Sequence, residues 1–196
     1  MRVQTLIYLL PLLLFLSACG GGEKQSQQSE PEESEQQQKA QTQTDDVRTI
    51  DIIGIDRMKY VVKEEGELLG TAETIKTSNG ETYLLLQNIE AEAGEELRIR
   101  LTTVSNLPAL AMAHNWILLK IGIDPADFAN AAVKAKNNEY IPQDRTDDII
   151  AHTGLAGGGE TVEVTFTVPE KTGEYDYLCS FPGHFAAGMK GKLIVQ

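Results

Sequence analysis

Hydrophobic and polar residues alternate along much of the chain after Val47, with the two-residue period of a half-buried β-strand. The clearest case is 162–168, where valine and phenylalanine alternate with Glu163, Thr165 and Thr167. Glycine-containing turn signals separate the alternating segments. The pattern predicts these strands: Thr49–Ile55, Met58–Lys63, Thr82–Ala91, Glu96–Val104, Asn115–Ile121, Glu160–Val168, Glu174–Leu178 and Lys190–Val195.

One segment departs from this alternation and predicts a helix. Asp124 can cap its N-terminus, and Pro125 suits the first helical position. Alanine-rich sequence continues to about Lys136, where Asn137 and Asn138 end it. Many short strands with a single helix indicate an all-β fold, namely a Greek-key antiparallel β-sandwich with one short inserted α-helix.

The N-terminus has a different composition. Residues 1–18 contain Arg2 and then an apolar run from Leu6 to Leu16, which is typical of a secretory signal and short for a membrane-spanning helix of about 20 residues. The sequence Leu16-Ser-Ala-Cys19 resembles a bacterial lipobox. It predicts that Cys19 is lipidated and becomes the first residue of the mature protein. The alternative is an ordinary cleavage site beside a coincidental cysteine.

Residues 19–46 are rich in glutamine, glutamate, serine and threonine and contain almost no large apolar side chain. Such a segment cannot bury enough surface to offset its ordering entropy, so we expect a disordered acidic tether. The folded domain would then span residues 47–196. We expect the protein to be exported and lipid-anchored to a bacterial membrane, facing the periplasm or the cell exterior.

The charge and the cysteines exclude some classes of function and structure. The formal net charge is −12, which argues against nucleic acid as a partner because phosphate binding needs a basic face. The chain has two cysteines, Cys19 and Cys179. In an exported protein such a pair normally indicates a disulfide, but a lipidated Cys19 is not expected to form one.

A loop near the C-terminus carries three residues with metal-binding side chains. Cys179, His184 and Met189 follow one another at intervals of five residues between two predicted strands. Each residue alone would be ordinary core or surface material, but together on one loop rich in glycine and proline they predict a metal site. Soft sulfur with imidazole selects copper, and two histidines, a thiolate and a distant methionine form the blue-copper ligand set.

The second histidine must be one of two, because the chain contains three. His114 opens an apolar predicted strand that would hold it rigidly, whereas His152 lies beside a glycine-rich loop and is interpreted as a surface residue. We therefore predict one copper per chain, bound by His114, Cys179, His184 and, weakly, Met189. Three histidines are too few for a further catalytic copper, so an electron carrier is favoured over an enzyme. A copper carrier or storage lipoprotein is the alternative.

The same residues carry a family resemblance. Cys179-Ser-Phe-Pro-Gly-His184 followed by Met189-Lys-Gly resembles the copper loop of azurins. The segment Asn106–Trp116 resembles the azurin segment that supplies the first copper histidine, and Ile149–Thr153 resembles one whose histidine is not a ligand. Four residues separate His184 from Met189, one more than in azurins. This spacing is similar to that of auracyanins, membrane-tethered relatives from photosynthetic bacteria.

This resemblance, which covers residues 81–196, implies a cupredoxin-like copper-binding domain and roles for further residues. Ala113 occupies the position whose backbone carbonyl, in azurins, approaches the copper opposite the methionine. Asn115 occupies the position whose side chain ties its strand to the loop near Ser180. Azurin-like proteins pass electrons through the exposed edge of the loop histidine, here His184, so we expect a monomer whose redox partners dock there transiently. An apolar surface would surround it, formed by Leu107, Pro108, Ala109, Leu110, Met112, Phe181, Pro182 and Phe185.

Residues 47–80 are open to two interpretations. The segment 51–60 resembles the first azurin strand, yet 82–90 could occupy a similar place. The region therefore contains either an insertion or an extra N-terminal hairpin.

Overall fold

The computed structural model describes residues 47–77 and 80–196. The predicted signal peptide, the predicted lipidation at Cys19 and the predicted tether, residues 19–46, lie outside the described residues. None of the helices in the two described ranges has the length and apolar character needed to cross a membrane.

The described ranges form twelve strands and one α-helix, with short 3-10 helices at Lys136–Asn138 and Gln143–Asp148. The strands are β1 (Arg48–Ile55), β2 (Lys59–Val62), β3 (Leu69–Lys76), β4 (Thr82–Ala91), β5 (Glu96–Val104), β6 (Ala113–His114), β7 (Ile117–Leu119), β8 (Ile149–His152), β9 (Ala156–Gly157), β10 (Thr161–Thr167), β11 (Gly173–Leu178) and β12 (Lys190–Val195). The helix, α1, spans Pro125–Ala132 between β7 and β8, and the Asp124 side chain caps its N-terminus as predicted.

Most strands belong to one sheet that curls back on itself. Its order is β10-β5-β1-β2-β4-β12-β11-β7-β8, and the two end strands, β10 and β8, contact each other. β3 pairs with β4 off this path, and β6 and β9 form a separate two-stranded sheet. The fold is therefore a nearly closed all-β sandwich with one helix in the described ranges, which confirms the predicted fold class.

The sandwich is not antiparallel throughout. β1 runs parallel to β5, and β12 runs parallel to β4. Parallel neighbours cannot be joined by a tight hairpin. In both pairs several other strands separate the partners along the chain, which brings the C-terminal β12 beside β4 in the middle of the sheet.

The strand pattern predicts some elements with the observed bounds and one that is too long. β4, β5 and β12 have the predicted bounds. The predicted strand Asn115–Ile121 is confirmed for Ile117–Leu119, which form β7, whereas Asn115 and Trp116 belong to no strand. Trp116 instead donates its N–H to Oγ1 of Thr153 and accepts from the N–H of Thr153, both at 3.0 Å.

The helix is also shorter than the sequence predicts, since it ends at Ala132 rather than near Lys136. Lys134 and Ala135 continue the chain with hydrogen bonds to the third residue before them, which tightens the turn. The pattern does not predict β3, β6, β8 or β9. β6 and β9 have two residues each, and β3 and β8 lie in pairings with register shifts, so none of them shows a sustained alternation.

The region 47–80 contains an insertion rather than an extra N-terminal hairpin. β1 and β2 lie in the middle of the main sheet, between β5 and β4. Residues 63–81 add β3, which pairs with β4 through partners from Leu69↔Ile89 to Lys76↔Thr82. The insertion therefore lengthens the β2–β4 connection and leaves the order of the main sheet intact.

An aromatic cluster fills the core behind the metal-binding segments. Trp116, Tyr60 and Tyr177 are among the largest fully buried side chains. The ring of Tyr177 lies 5.5 Å from that of Trp116 and 5.7 Å from that of Tyr60, measured between centroids. Trp116 follows His114 by two residues and Tyr177 precedes Cys179 by two, so one cluster supports both segments.

Candidate metal centre

The fold brings three of the predicted ligand residues together. His114 is the last residue of β6 and Cys179 directly follows β11. His184 lies between β11 and β12 in the ligand loop, defined as residues 179–189. His114 and Cys179 are 0% exposed and His184 is 2% exposed.

The donor atoms of these residues converge on one point. Nδ1 of His114 lies 3.1 Å from Nδ1 of His184, and Sγ of Cys179 lies 3.4 Å from the same His184 nitrogen. The three ligand atoms all lie within 4.8 Å of one another. Two imidazole nitrogens and a sulfur atom thus surround a small buried volume, an arrangement that can hold one metal ion.

Burial decides the protonation of this cluster. It lowers the pKa of His114 from 6.5 to about 3, with a further decrease from the neighbouring His184 and a smaller opposing effect of the Ile55 backbone. Burial also lowers the pKa of His184 from 6.5 to about 4. For Cys179, burial raises the pKa from 9.0 to about 12, and the backbone groups of Asn115 and Phe181 oppose this increase.

These shifts predict the pH dependence of the metal-free protein. Below pH 6.5 the unfolded chain binds protons at His114 and His184 that the folded chain does not, so stability should fall as the pH decreases from 6.5 toward 3. Above pH 9 the unfolded chain loses the Cys179 proton that the folded chain keeps, so stability should fall again toward pH 12. Urea unfolding across this range measures both effects.

A matched variant separates the expected loss of stability at acid pH from the expected loss at alkaline pH. Cys179→Ala should remove the alkaline contribution of the thiol while keeping the loss on the acid side. A metal-free protein of constant stability between pH 6.5 and pH 4 would contradict the low pKa values of the two rings.

A glycine makes room for the ring of His114. A Cβ atom at Gly54, in β1, would lie 2.5 Å from Cδ2 and 2.8 Å from Cγ of His114. Both distances are far below a van der Waals contact, and the histidine is held by strand backbone. Gly54 therefore lets the buried ring pack directly against the backbone of β1.

Backbone hydrogen bonds hold the ligand loop at its base and at its tip. At the base, the N–H of Cys179 donates to the carbonyl of Met189 at 3.1 Å. Toward the tip, the N–H of Met189 donates to the carbonyl of His184, and that of Gly188 to the carbonyl of Phe185, both at 2.9 Å. With Gly188 at φ +92°, these bonds form the Schellman pattern that ends a helical turn. The loop thus ties together the backbones of the three predicted ligands that it carries.

Asn115 joins the two ligand-bearing segments, in agreement with the role that the resemblance implies for it. Its Oδ1 accepts from the N–H of Ser180 at 2.9 Å, and its Nδ2 donates to Oγ of Ser180 at 2.9 Å and to the carbonyl of Glu139 at 3.2 Å. Asn115 and Ser180 are 0% and 2% exposed. Because these bonds are shielded from water, they fix the distance between the residue after His114 and the residue after Cys179.

The other residues singled out in the sequence have distinct positions. Met189 is fully buried and packs in the main core cluster, and Ala113 is fully buried beside Gly157 in the β6–β9 pair. Their predicted contacts with a metal stay predictions. His152 is exposed at the end of β8, and its Nδ1 lies 3.0 Å from the carbonyl of Thr153. The cluster that His114, Cys179 and His184 form does not include it, and its predicted absence from the copper ligands stays a prediction.

Only some residues of the predicted apolar surface are exposed to solvent. The prediction is wrong for Met112 and Phe181, which are each 8% exposed. His184 is 2% exposed, and the Phe181 ring lies 4.7 Å from its ring between centroids, so the predicted exposed edge of the histidine is also wrong. The remaining residues, named here the apolar rim, are exposed or half-buried: Leu107, Pro108, Ala109, Leu110, Pro182 and Phe185.

Sequence reasoning missed three residues that support the site, Gly54, Lys59 and Tyr60. The Tyr60 hydroxyl donates to the carbonyl of Asn115, and Lys59 Nζ donates to the carbonyl of Ala187 in the ligand loop. All three lie in the segment 51–60, which resembles the first azurin strand. That resemblance was the available signal, but the contacts join positions too distant in sequence to be inferred.

Comparison with known proteins identifies the family. The family model for copper binding proteins of the plastocyanin/azurin family matches residues 57–196. The chain belongs to this family. Auracyanin-A of Chloroflexus aurantiacus is 43% identical over 110 residues, which are 55% of this chain and 64% of that protein. Azurin of Achromobacter denitrificans is 37% identical over 126 residues, 61% of this chain and 80% of that protein.

The solved structure of auracyanin A from Chloroflexus aurantiacus, described as a "blue" copper protein, agrees with the fold. Its TM-score is 0.55 at 33% identity, and the match covers 76% of this chain and 98% of that chain. The sequence match spans 64% of auracyanin-A and 52% of auracyanin-B. The resemblance to azurins and auracyanins is therefore confirmed, over less than two thirds of the full auracyanin sequences.

The residues at the centre fit copper. Two imidazole nitrogens and one thiol are the soft donor set that copper takes in proteins of this kind. Nδ1 of His184 lies within 3.4 Å of both the Cys179 sulfur and Nδ1 of His114, and Gly54 leaves the space that the His114 ring needs. One copper site per chain agrees with both the family and the geometry.

Proposed function

We propose that this protein is a membrane-tethered type 1, or blue, copper protein that carries single electrons between redox partners. The observation that carries the proposal is the convergence of Nδ1 of His114, Nδ1 of His184 and Sγ of Cys179 in a buried cluster. When bound there, copper supplies one-electron chemistry by alternating between Cu(II) and Cu(I).

His114, Cys179 and His184 would bind the copper strongly, and the Met189 thioether and the Ala113 carbonyl would bind it weakly. Met189 is supported by its burial and by its backbone bonds to both Cys179 and His184. Ala113 is supported by its burial and by its place directly before His114 in β6.

A rigid cage favours electron transfer because the ligands need not move when the charge on the metal changes. The Asn115–Ser180 bonds hold the two ligand segments together, and such bonds around metal ligands tune their orientation and the metal affinity. The two imidazoles are kept neutral by burial, which lowers the pKa of each, so they are ready to bind a cation without first losing a proton.

Electrons are proposed to pass through His184 to partners that dock on the apolar rim. Leu110 is 84% exposed and Leu107 is 46% exposed, while Pro182 and Phe185 belong to the ligand loop itself. A small apolar surface of this kind favours a weak, transient complex, as a carrier with several partners requires.

The tether is proposed from the sequence. Lipidation of Cys19 would anchor the protein to a bacterial membrane, and residues 19–46 would let the folded domain reach its partners in the periplasm or at the cell exterior. Auracyanin-A and azurin are the relatives that motivate an exported location.

A copper carrier or storage protein is the alternative function. The buried, braced cluster disfavours it, because release of the metal would require the Cys179 sulfur and both rings to become accessible. An enzyme is disfavoured because the third histidine of the chain, His152, is exposed and lies outside the cluster.

One experiment on washed membranes tests the electron-carrier role and the tether together. Membranes of cells that express the full-length protein should retain it and show a copper-dependent colour. The colour should bleach when reductant is supplied and return with oxidant, over many cycles and without loss of copper. With Cys19→Ala, the washed membranes should contain no copper protein and should show no colour change.

Two results would overturn parts of this proposal. Unmodified wild-type protein in the soluble fraction would exclude the lipid anchor. Transfer of copper to an acceptor in place of reversible bleaching would establish the carrier function instead.

A further inference from the structure

The ligand loop contains a turn that ends as an α-helix does, and a lysine ammonium group contacts the carbonyl at that end. In the Schellman pattern of this loop, Gly188 is the left-handed residue that follows the end of the turn, so Ala187 occupies the C-cap position. The carbonyls at such an end carry partial negative charge and attract cations. Here the Nζ atom of Lys59, from β2, donates to the carbonyl of Ala187.

Lys59 reaches the loop from a distant part of the chain. It lies 128 residues before Ala187 and is half-buried at the first position of β2, opposite Ile55 of β1. A Cβ atom at Gly188 would lie 2.8 Å from Nζ of Lys59. The ammonium group therefore sits directly against the backbone between His184 and Met189.

The next residue of β2 holds the other ligand segment. The buried hydroxyl of Tyr60 donates to the carbonyl of Asn115, the residue after His114. Successive side chains of a strand point in opposite directions, so β2 reaches the two ligand segments with adjacent residues. Asn115 in turn is bonded to Ser180, which closes a ring of contacts around the cluster.

We propose that Lys59 is a positioning residue of the copper site, which caps the ligand loop at Ala187 and thereby sets where Met189 stands relative to His184. The inference rests on the proposed function of the site. A charged donor suits this place because hydrogen bonds from an ammonium group are about twice as strong as neutral ones. The Lys59 ammonium adds a bond from a distant strand to a turn whose own backbone bonds join residues of the same loop.

The chain offers a matched control in Lys190. This residue follows Met189 directly, is exposed, and places its Nζ 4.6 Å from the centroid of the Phe185 ring. Lys190→Met removes the same charge from the edge of the same loop but leaves the Ala187 contact in place. A comparison of the two lysines therefore separates positioning from simple electrostatics.

Amide exchange in the metal-free, full-length protein tests the proposal without copper. In Lys59→Met, exchange of the Gly188 and Met189 amides should be about tenfold faster, as expected for the loss of one charge-assisted hydrogen bond. Lys59→Arg, which keeps charge and donors, should restore slow exchange, and Lys190→Met should exchange like the wild type. If Lys59→Met does not fold, Lys59→Gln supplies the second variant, since it keeps a polar side chain at this strand position but removes the ammonium that contacts Ala187, and it should also give faster exchange than the wild type.

The copper-loaded protein gives the second readout. Lys59→Met should change the thiolate-to-copper absorption spectrum, because Met189 shifts, whereas Lys190→Met should keep the wild-type spectrum. Equal effects of the two lysine variants, or unchanged exchange and spectrum in Lys59→Met, would overturn the positioning role. A wild-type protein that binds no copper or stays colourless would instead refute the proposed function, whatever the exchange rates show.

Discussion

Replacing Cys179 with serine should abolish the colour of the copper-loaded protein completely. The intense absorption of a blue site comes from charge transfer between a thiolate and Cu(II), and a hydroxyl group cannot supply it. Burial raises the pKa of the Cys179 thiol to about 12, so a bound cation must displace its proton, which the serine hydroxyl gives up far less readily. Absorption spectra of the two copper-loaded proteins measure the effect.

The two candidate histidines provide the control for this prediction. His152→Ala should leave the colour unchanged, because His152 is exposed and outside the cluster. His114→Ala should bleach or strongly shift the spectrum, because it removes one of the three converging donors. The reverse result, with a colourless His152→Ala and a blue His114→Ala, would show that the ligand assignment is wrong.

Substitutions of Met189 should move the reduction potential in opposite directions. Met189→Leu removes a weak donor that helps Cu(II) more than Cu(I), so the potential should rise while the blue colour persists. Met189→Glu supplies a hard anionic oxygen that stabilises Cu(II), so the potential should fall and the spectrum should shift toward a red or green site. Axial ligands are a principal determinant of potential in such sites, and voltammetry of the copper-loaded variants measures the change.

A second buried methionine serves as the control for Met189. Met112 is 8% exposed and lies outside the ligand loop, directly before Ala113, so Met112→Leu removes a thioether but keeps an apolar side chain of similar size and every proposed ligand. Its potential should stay close to the wild-type value. Potentials that do not change in either Met189→Leu or Met189→Glu would mean that Met189 is core packing, and the Ala113 carbonyl would be the remaining axial candidate.

Much of the site could be predicted because its chemistry is concentrated in one short loop. Cys179, His184 and Met189 lie within eleven consecutive residues between two strands, so their spacing alone indicates a common target. The alternation of side chains in β4, β5 and β12 likewise fixes these strands from local sequence. The copper-binding family and the all-β class follow from such local signals.

Other features could not be predicted because they depend on contacts between distant positions. Leu110 and Phe181 are both apolar residues of the expected surface, yet one is 84% exposed and the other 8%. Phe181 is buried because its ring packs against the rings of His184 and Tyr140. β3 and β8 escape prediction because irregular pairing removes their alternation.

By itself, the sequence determined the donor types, the ligand loop and the strands with regular alternation, because these depend on neighbours within a few residues. The tertiary structure decided how His114 meets the loop and how the cluster is braced. It brings His114 to Cys179 and His184, places Gly54 against the His114 ring, and directs Lys59 of β2 to the loop backbone. The physical reason is that residues separated by 60 to 128 positions in the chain meet only once the sheet has set the order and register of its strands.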